Sequence, residues 1–233
     1  MSLNKQRMKM NQRRNNEKIN FEIDNFVIVR NFYDRDKINF LYTYTQIQYL
    51  RVKAFRDANY TYDERTEGKF SDDVTPYCYC RYSDPLTETM LVESLPNIEN
   101  YVGKNIVPTY SYWRMYENGA DLKRHKDRHG CEISVTICVG FDLSNLDKPD
   151  EHLWPLWIDK TGEVGNEGSP IFLSPGDIII YKGCELEHWR EPFIGNTWAQ
   201  IFLHFDDKDN PHHKLNEYDG RGQLGLPGLV RIF

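Results

Sequence analysis

Apolar and polar positions change their period twice along this chain. The run F-E-I-D-N-F-V-I-V-R at 21–30 is rich in β-branched and aromatic residues and predicts a first strand. Asp34 is placed as an N-cap, and Ile38, Leu41, Tyr42, Tyr49 and Val52 then recur at three- and four-residue steps, the buried stripe of an amphipathic helix. Residues 57–76 carry D-E-R-T-E-G-K and D-D-V-T-P and read as a polar loop. After Y-C-Y-C-R-Y at 77–82, Asp84-Pro85 combines a cap with a proline at the first helical position, and Leu86, Met90 and Leu91 follow at helical spacing. Pro96 restarts a short helix that stops at Gly103.

From Pro108 the texture turns to short β-rich runs separated by Gly, Pro, Asn and Asp. Eight strands are expected, at 109–116, 122–127, 132–141, 153–159, 170–173, 177–182, 186–191 and 197–204. That number and spacing predict an antiparallel sandwich or barrel, most simply a jelly roll, giving an all-β core with N-terminal helices in an α+β arrangement. The expected organisation is one domain over 21–205, with helical support at 31–104 and the jelly-roll core at 108–205. An irregular tail covers 206–233. The arm at 1–20 sets Lys5, Arg7, Lys9, Arg13, Arg14 and Lys18 against Glu17 and is read as disordered.

Composition narrows the function classes. With 233 residues, 39% of them hydrophobic and 14% aromatic, the chain can bury one substantial core. A net charge of −6 argues against nucleic acid as the main partner. Cys78, Cys80, Cys131, Cys138 and Cys184 form an odd set with no C-x-x-C pair, which fits neither a disulfide framework nor a structural zinc ligand set and suits a reducing, cytoplasmic setting. No run has the length of a signal peptide's apolar core or of a membrane span.

The candidate chemistry sits in K-R-H-K-D-R-H-G at 123–130. Strand side chains alternate, so His125 and Asp127 share a face and Lys126 points away. An imidazole and a carboxylate suit iron(II) or a similar divalent ion, and a histidine from another strand completes a facial triad with three open positions. H-x-D alone is weak evidence, and it recurs at His204-Phe205-Asp206. Position favours the first: His188 follows S-P-G-D-I-I-I-Y and its turn several strands later, whereas His204 is followed only by His212 and His213 in the tail. His125, Asp127 and His188 are therefore the expected metal ligands. Lys123, Arg124, Lys126, Arg128 and His129 are expected to be solvated surface, and Trp154, Trp157, Trp189 and Trp198 barrel core and rim.

In this order the motifs resemble the double-stranded β-helix (jelly roll, cupin-like) core of the 2-oxoglutarate/iron(II)-dependent oxygenases, particularly their prolyl-4-hydroxylase-like branch. Tyr116-Glu117-Asn118-Gly119 matches a Y-x-x-G strand nine residues before H-x-D, and Gly176-Asp177-Ile178-Ile179-Ile180-Tyr181 matches G-D-x-x-x-[FY] before the second histidine. The segment F-V-I-V-R-N-F-Y-D-R-D before the long helix resembles the start of the same branch.

The resemblance implies Fe(II) as the metal, 2-oxoglutarate and O2 as cosubstrates, and ascorbate as an accessory. It implies a hydroxylase that decarboxylates 2-oxoglutarate to succinate and CO2 while oxidising a substrate amino acid, peptide or protein, with prolyl suggested by the branch alone. The family usually places Arg or Lys nine or ten residues after the second histidine to hold the far carboxylate of 2-oxoglutarate. Here Thr197 and Trp198 occupy those positions. Arg190, on the face of His188, is the preferred substitute and Arg114 the second. Tyr116 is expected to touch the cosubstrate, and Thr197 to add a hydroxyl. Tyr77, Tyr79 and Arg81 lie where relatives carry substrate-covering segments. Two other classes stay open: a cupin-type metal-binding isomerase or lyase, which the missing cation favours, and a non-catalytic jelly-roll binding module.

Overall fold

A computed structural model describes residues 21–152 and 154–228. The expected arm at 1–20 lies outside the described residues, as do Leu153 and the end of the tail. Two antiparallel sheets face each other. The larger has the order β1 (Phe26–Val29), β9 (Ile178–Tyr181), β6 (Ile133–Asp142), β11 (Thr197–Asp207), β4 (Ile106–Glu117), β3 (Cys78–Tyr82) and β2 (Lys69–Phe70). The smaller runs β5 (Leu122–His125), β10 (His188–Arg190), β7 (Leu156–Ile158) and β8 (Ser169–Ile171). This is the expected jelly roll, and each of the eight expected strands is present.

Parity along each strand divides the core. On β4 and β11, Trp113, Met115, Ile201 and Leu203 face outward to the helices, while Tyr116, Trp198 and Phe202 face inward between the sheets. Helix α1 (Arg35–Asp57) and helix α2 (Pro85–Val102) cover the outer face. Asp34 caps α1 by accepting from the Lys37 amide at 2.8 Å, and Ile38, Leu41, Tyr49 and Val52 are buried as the period requires. Gly140 on β6 lets α1 approach, because a methyl group there would overlap the Tyr42 ring.

Four local expectations change. The segment 21–30 opens with a helical turn (Phe21–Asp24): the Asn25 amide closes it onto the Phe21 carbonyl at 2.9 Å and Asn25 takes a left-handed φ of 60°. Pro96 does not divide α2, because Met90, Leu91, Ile98 and Val102 keep one buried stripe through it, and the helix ends at Gly103 with φ 72°. The stretch 57–76 is not all loop; it holds the turn Glu64–Glu67 and then β2, where Phe70 packs on Tyr49 and Tyr79. β2 and β3 thus add strands within the span expected to be helical support.

Beyond β11 the chain folds back through the turns His213–Asn216 and Glu217–Gly220. Arg221 anchors it: its guanidinium is buried against Glu88 Oε1 at 2.7 Å and the Thr109 carbonyl at 3.0 Å.

Candidate metal centre

The centre forms where the smaller sheet opens. His125, at the end of β5, is the register partner of His188 on β10. Asp127 lies two residues past the strand, held by its amide donating to the Gly183 carbonyl at 2.9 Å. Asp127 Oδ1 is 3.6 Å from His125 Nε2 and 3.5 Å from His188 Nε2, and the three donor atoms lie within 4.8 Å of one another.

Backbone carbonyls fix both imidazoles. His125 Nδ1 lies 2.8 Å from the Lys123 carbonyl and His188 Nδ1 3.0 Å from that of Leu186. A carbonyl only accepts, so each Nδ1 carries the proton and each Nε2 keeps its lone pair toward Asp127, the orientation metal-ligating histidines use. Burial, then the neighbouring His188, pushes the His125 imidazole down to about 4. For His188 burial acts the same way but is outweighed by the charge and hydrogen bond of Asp127, which raise it. Burial alone would raise the Asp127 carboxyl, yet His188, His204 and Ser134 hold it far below the usual carboxylate range.

A second layer supports the carboxylate. Ser134 on β6 donates to Asp127 Oδ2 at 2.6 Å, which leaves its oxygen to accept from His204 Nδ1 at 3.0 Å. His204 therefore braces the centre through Ser134 and is not one of the three converging groups. Gly183 is required here, because a Cβ would overlap Ser134 Oγ, Asp127 Oδ2 and the Cys131 carbonyl.

The trio opens into a cavity of about 200 Å³ lined also by Tyr82, Tyr110, Tyr112, Arg114, Tyr181 and Phe202. Arg114 is already paired: its Nη2 and Nε donate to Asp72 Oδ2 at 2.7 and 3.1 Å. Arg190, like Tyr116, is not among the residues that line this cavity, and it differs from Arg114 in its partners. It is 3% exposed, packs over the Trp154 ring, and donates only to neutral oxygens, the Trp154 carbonyl and Gln200 Oε1, both at 2.8 Å. Burial lowers its pKa, and among the described residues no carboxylate pairs with it. Beside it the Tyr116 hydroxyl, close to the Arg114 and Arg190 charges, and Gln200 Nε2 are buried without a well-formed hydrogen bond. A buried guanidinium beside two further donors in an apolar interior is chemistry suited to an anion.

Other expected site residues lie elsewhere. Tyr79 and Arg81 point to the opposite face of β3: Tyr79 packs on Trp113, and Arg81 pairs with Asp84 at 3.0 Å and donates to Gln48. Strand parity is the reason, so it is Cys78, Cys80 and Tyr82 that face inward. Thr197 likewise faces α1 beside the Tyr42 hydroxyl, and its neighbour Trp198 enters the interior. Tyr77 is 63% exposed, outside the cavity lining. Arg128 is exposed, as expected, and it also lines the mouth and pairs bidentately with Asp219 of the tail at 2.8 and 2.7 Å.

Gln200, Ser134, Gly183 and Asp72 were not anticipated. Gln200 carried a signal as the one polar residue inside the run W-A-Q-I-F-L.

No family model matches the chain, and no curated protein matches it in sequence. Solved structures do match in fold. A Pseudomonas putida prolyl-4-hydroxylase shares 13% identity over 81% of this chain and 95% of its own, with a TM-score of 0.55. An oxidoreductase of the 2OG-Fe(II) oxygenase family from Burkholderia pseudomallei shares 12%, over 80% and 87%, with a TM-score of 0.51. HygX from Streptomyces hygroscopicus, solved with nickel and 2-oxoglutarate bound, shares 10%, over 81% and 85%, with a TM-score of 0.50. The chain has the double-stranded β-helix fold of these oxygenases.

Proposed function

We propose that this protein is an iron(II)- and 2-oxoglutarate-dependent dioxygenase, most simply a hydroxylase. Its metal ligands would be His125, Asp127 and His188, and the receptor for the far carboxylate of 2-oxoglutarate would be Arg190 with Tyr116 and Gln200. The observation that carries this reading is that β10 holds both His188 of the His/Asp/His cluster and, two residues on, a buried guanidinium with no carboxylate partner among the described residues. Successive same-face residues on a strand root about 7 Å apart, the span of a five-carbon diacid. The likeness in fold to an enzyme solved with nickel and 2-oxoglutarate supports it.

The donor set fits the group. Two neutral imidazoles and one carboxylate suit iron(II) and leave three positions for other ligands. Iron with 2-oxoglutarate and O2 supplies oxidation of a substrate C–H coupled to decarboxylation to succinate and CO2. The chain's own residues prepare for this. The Lys123 and Leu186 carbonyls hold the proton of each neutral imidazole on Nδ1, so that Nε2 is the atom free to ligate, while Ser134 and the Gly183 carbonyl aim Asp127. Arg190 would bind the far carboxylate as a charge-assisted pair, Tyr116 would donate its hydroxyl, and Trp154, Trp198 and Phe202 exclude water from the pair. Arg114 is the weaker candidate because Asp72 already neutralises it. Thr197 faces away and has no part. Arg190 on β10 would supply the cation missing from the last strand, and this weakens the main ground for a cupin-type isomerase or lyase.

The substrate would be an amino-acid side chain, free or in a peptide or protein, entering past Tyr82, Tyr110 and Arg128. Iron(II) and 2-oxoglutarate added without oxygen should give a weak visible charge-transfer band that His125→Ala abolishes. Absence of the band, with His125→Ala binding iron as well as the parent does, would overturn the reading.

A further inference from the structure

A second cluster of metal-binding chemistry lies beside the first without sharing a residue with it. Cys78 and Cys80 occupy alternate positions on β3, so both project between the sheets, each 1% exposed. Their sulfurs are 3.3 Å apart, and Asp72 Oδ2 lies 3.6 Å from Cys80 Sγ. All three ligand atoms fall within 4.8 Å of one another. We propose that Asp72, Cys78 and Cys80 form a second metal site, one that takes zinc.

The distances have the scale of one face of a zinc tetrahedron. With Zn–S near 2.3 Å and Zn–O near 2.0 Å, its edges are about 3.8 Å between sulfurs and about 3.5 Å between sulfur and oxygen. The backbone orients the carboxylate: Asp72 Oδ1 is consumed by the Val74 and Thr75 amides at 3.0 and 2.8 Å, which leaves Oδ2 on the side of Cys80 Sγ, where it also accepts from Arg114 and Tyr112. The Tyr112 hydroxyl, 3.2 Å from Oδ2, is the neighbouring oxygen available for a fourth position.

Charge supports the same assignment. When zinc binds, each thiol loses its proton to solvent. Two thiolates and a carboxylate then exceed the divalent cation by one negative charge, and buried Arg114, hydrogen-bonded to Asp72 Oδ2, cancels it. Thiolates select zinc over iron(II), whereas the nitrogen and oxygen donors of the His125 cluster suit iron, so two neighbouring sites can sort two metals by softness. The site would fix the 71–77 loop to β3 and hold Asp72 on Arg114, at the wall of the cavity. None of this depends on what the His125 cluster binds.

Cobalt(II) added to the metal-stripped full-length protein tests the site, because thiolate-to-cobalt charge transfer absorbs in the near ultraviolet and histidine or carboxylate ligation does not. The band should appear in the parent and in His125→Ala/His188→Ala, vanish in Cys78→Ser/Cys80→Ser, and bleach with one equivalent of zinc. A parent without the band, or a band that survives Cys78→Ser/Cys80→Ser because Cys131 or Cys184 carries it, overturns the proposal. Should the double variant not fold by near-ultraviolet circular dichroism, Asp72→Asn decides: zinc affinity falls at least tenfold if the site is real, and unchanged affinity refutes it. Loss of the cobalt–thiolate band would leave the iron reading untouched, since that cluster contains no sulfur.

Discussion

His125 and His188 stand opposite each other across β5 and β10, their ring centres 4.3 Å apart, with Asp127 reaching both Nε2 atoms from the loop beyond. Two ligands are set by strand register and the third by packing, so the carboxylate is the part most easily displaced.

Gly183→Ala should therefore weaken metal binding without altering any ligand. The added methyl group would collide with Asp127 and Ser134. Disturbing the support of a ligand usually costs tenfold to a hundredfold in affinity, and titration calorimetry with iron(II) or nickel(II) should show a loss of about that size. Affinity equal to the parent's would mean that the loop yields and Asp127 is not held by packing.

Arg190→Met should raise the 2-oxoglutarate concentration needed to develop the anaerobic band by at least about thirtyfold, the equivalent of about 2 kcal/mol for a lost buried charge pair. Iron affinity itself should hardly move. Arg114→Met should act mainly on stability, because it leaves Asp72 buried without its partner. The opposite ranking would make Arg114 the receptor.

The metal-free protein should lose stability on both sides of the ordinary histidine range. Burial pushes His204 and His125 down to about 4, so between pH 6.5 and 4 the unfolded chain takes up protons that the fold refuses, and stability falls as pH falls. His188 is raised, so its contribution is complete below pH 6.5 and is lost as pH rises through its higher folded value. Urea midpoints between pH 4 and 8 should trace this maximum. His204→Phe should flatten the acid limb, removing up to about 3 kcal/mol of its fall. An acid limb unchanged by that substitution would show that His204 is not buried neutral.

Glu88→Leu should cost about 3–5 kcal/mol, because it strands the buried Arg221 guanidinium. Glu88→Leu/Arg221→Met should recover much of that loss. Thermal melts would show it, and limited proteolysis should cut the tail after 206 in the single variant first.

Much of the architecture was legible along the chain, for identifiable reasons. Alternating apolar runs bounded by Gly, Pro, Asn and Asp mark all eight strands of the 108–205 segment, and Asp34 and Asp84 cap their helices through side-chain oxygens on the next turn's amides. The three clustered groups of the centre could be chosen because the order of several weak motifs discriminates where one H-x-D does not. What stayed hidden depends on tertiary contact. Whether Tyr79 or Cys80 faces the site is a matter of one-residue parity set by pairing with β4. Asp72 reaches Arg114 from a loop forty-two residues away, and local spacing carries no trace of that pair. Pro96 stays within one helix because burial on both sides of it outweighs its local preference.

The central claim is that His125, Asp127 and His188 hold iron for a reaction that consumes 2-oxoglutarate, and succinate formation tests it most directly. Protein supplied with iron(II), 2-oxoglutarate, ascorbate and air, assayed for succinate by proton NMR, should form it slowly even without a prime substrate, and Asp127→Ala should form none above the protein-free control. Absence of succinate from the parent with iron bound, or equal succinate from Asp127→Ala, would contradict the account.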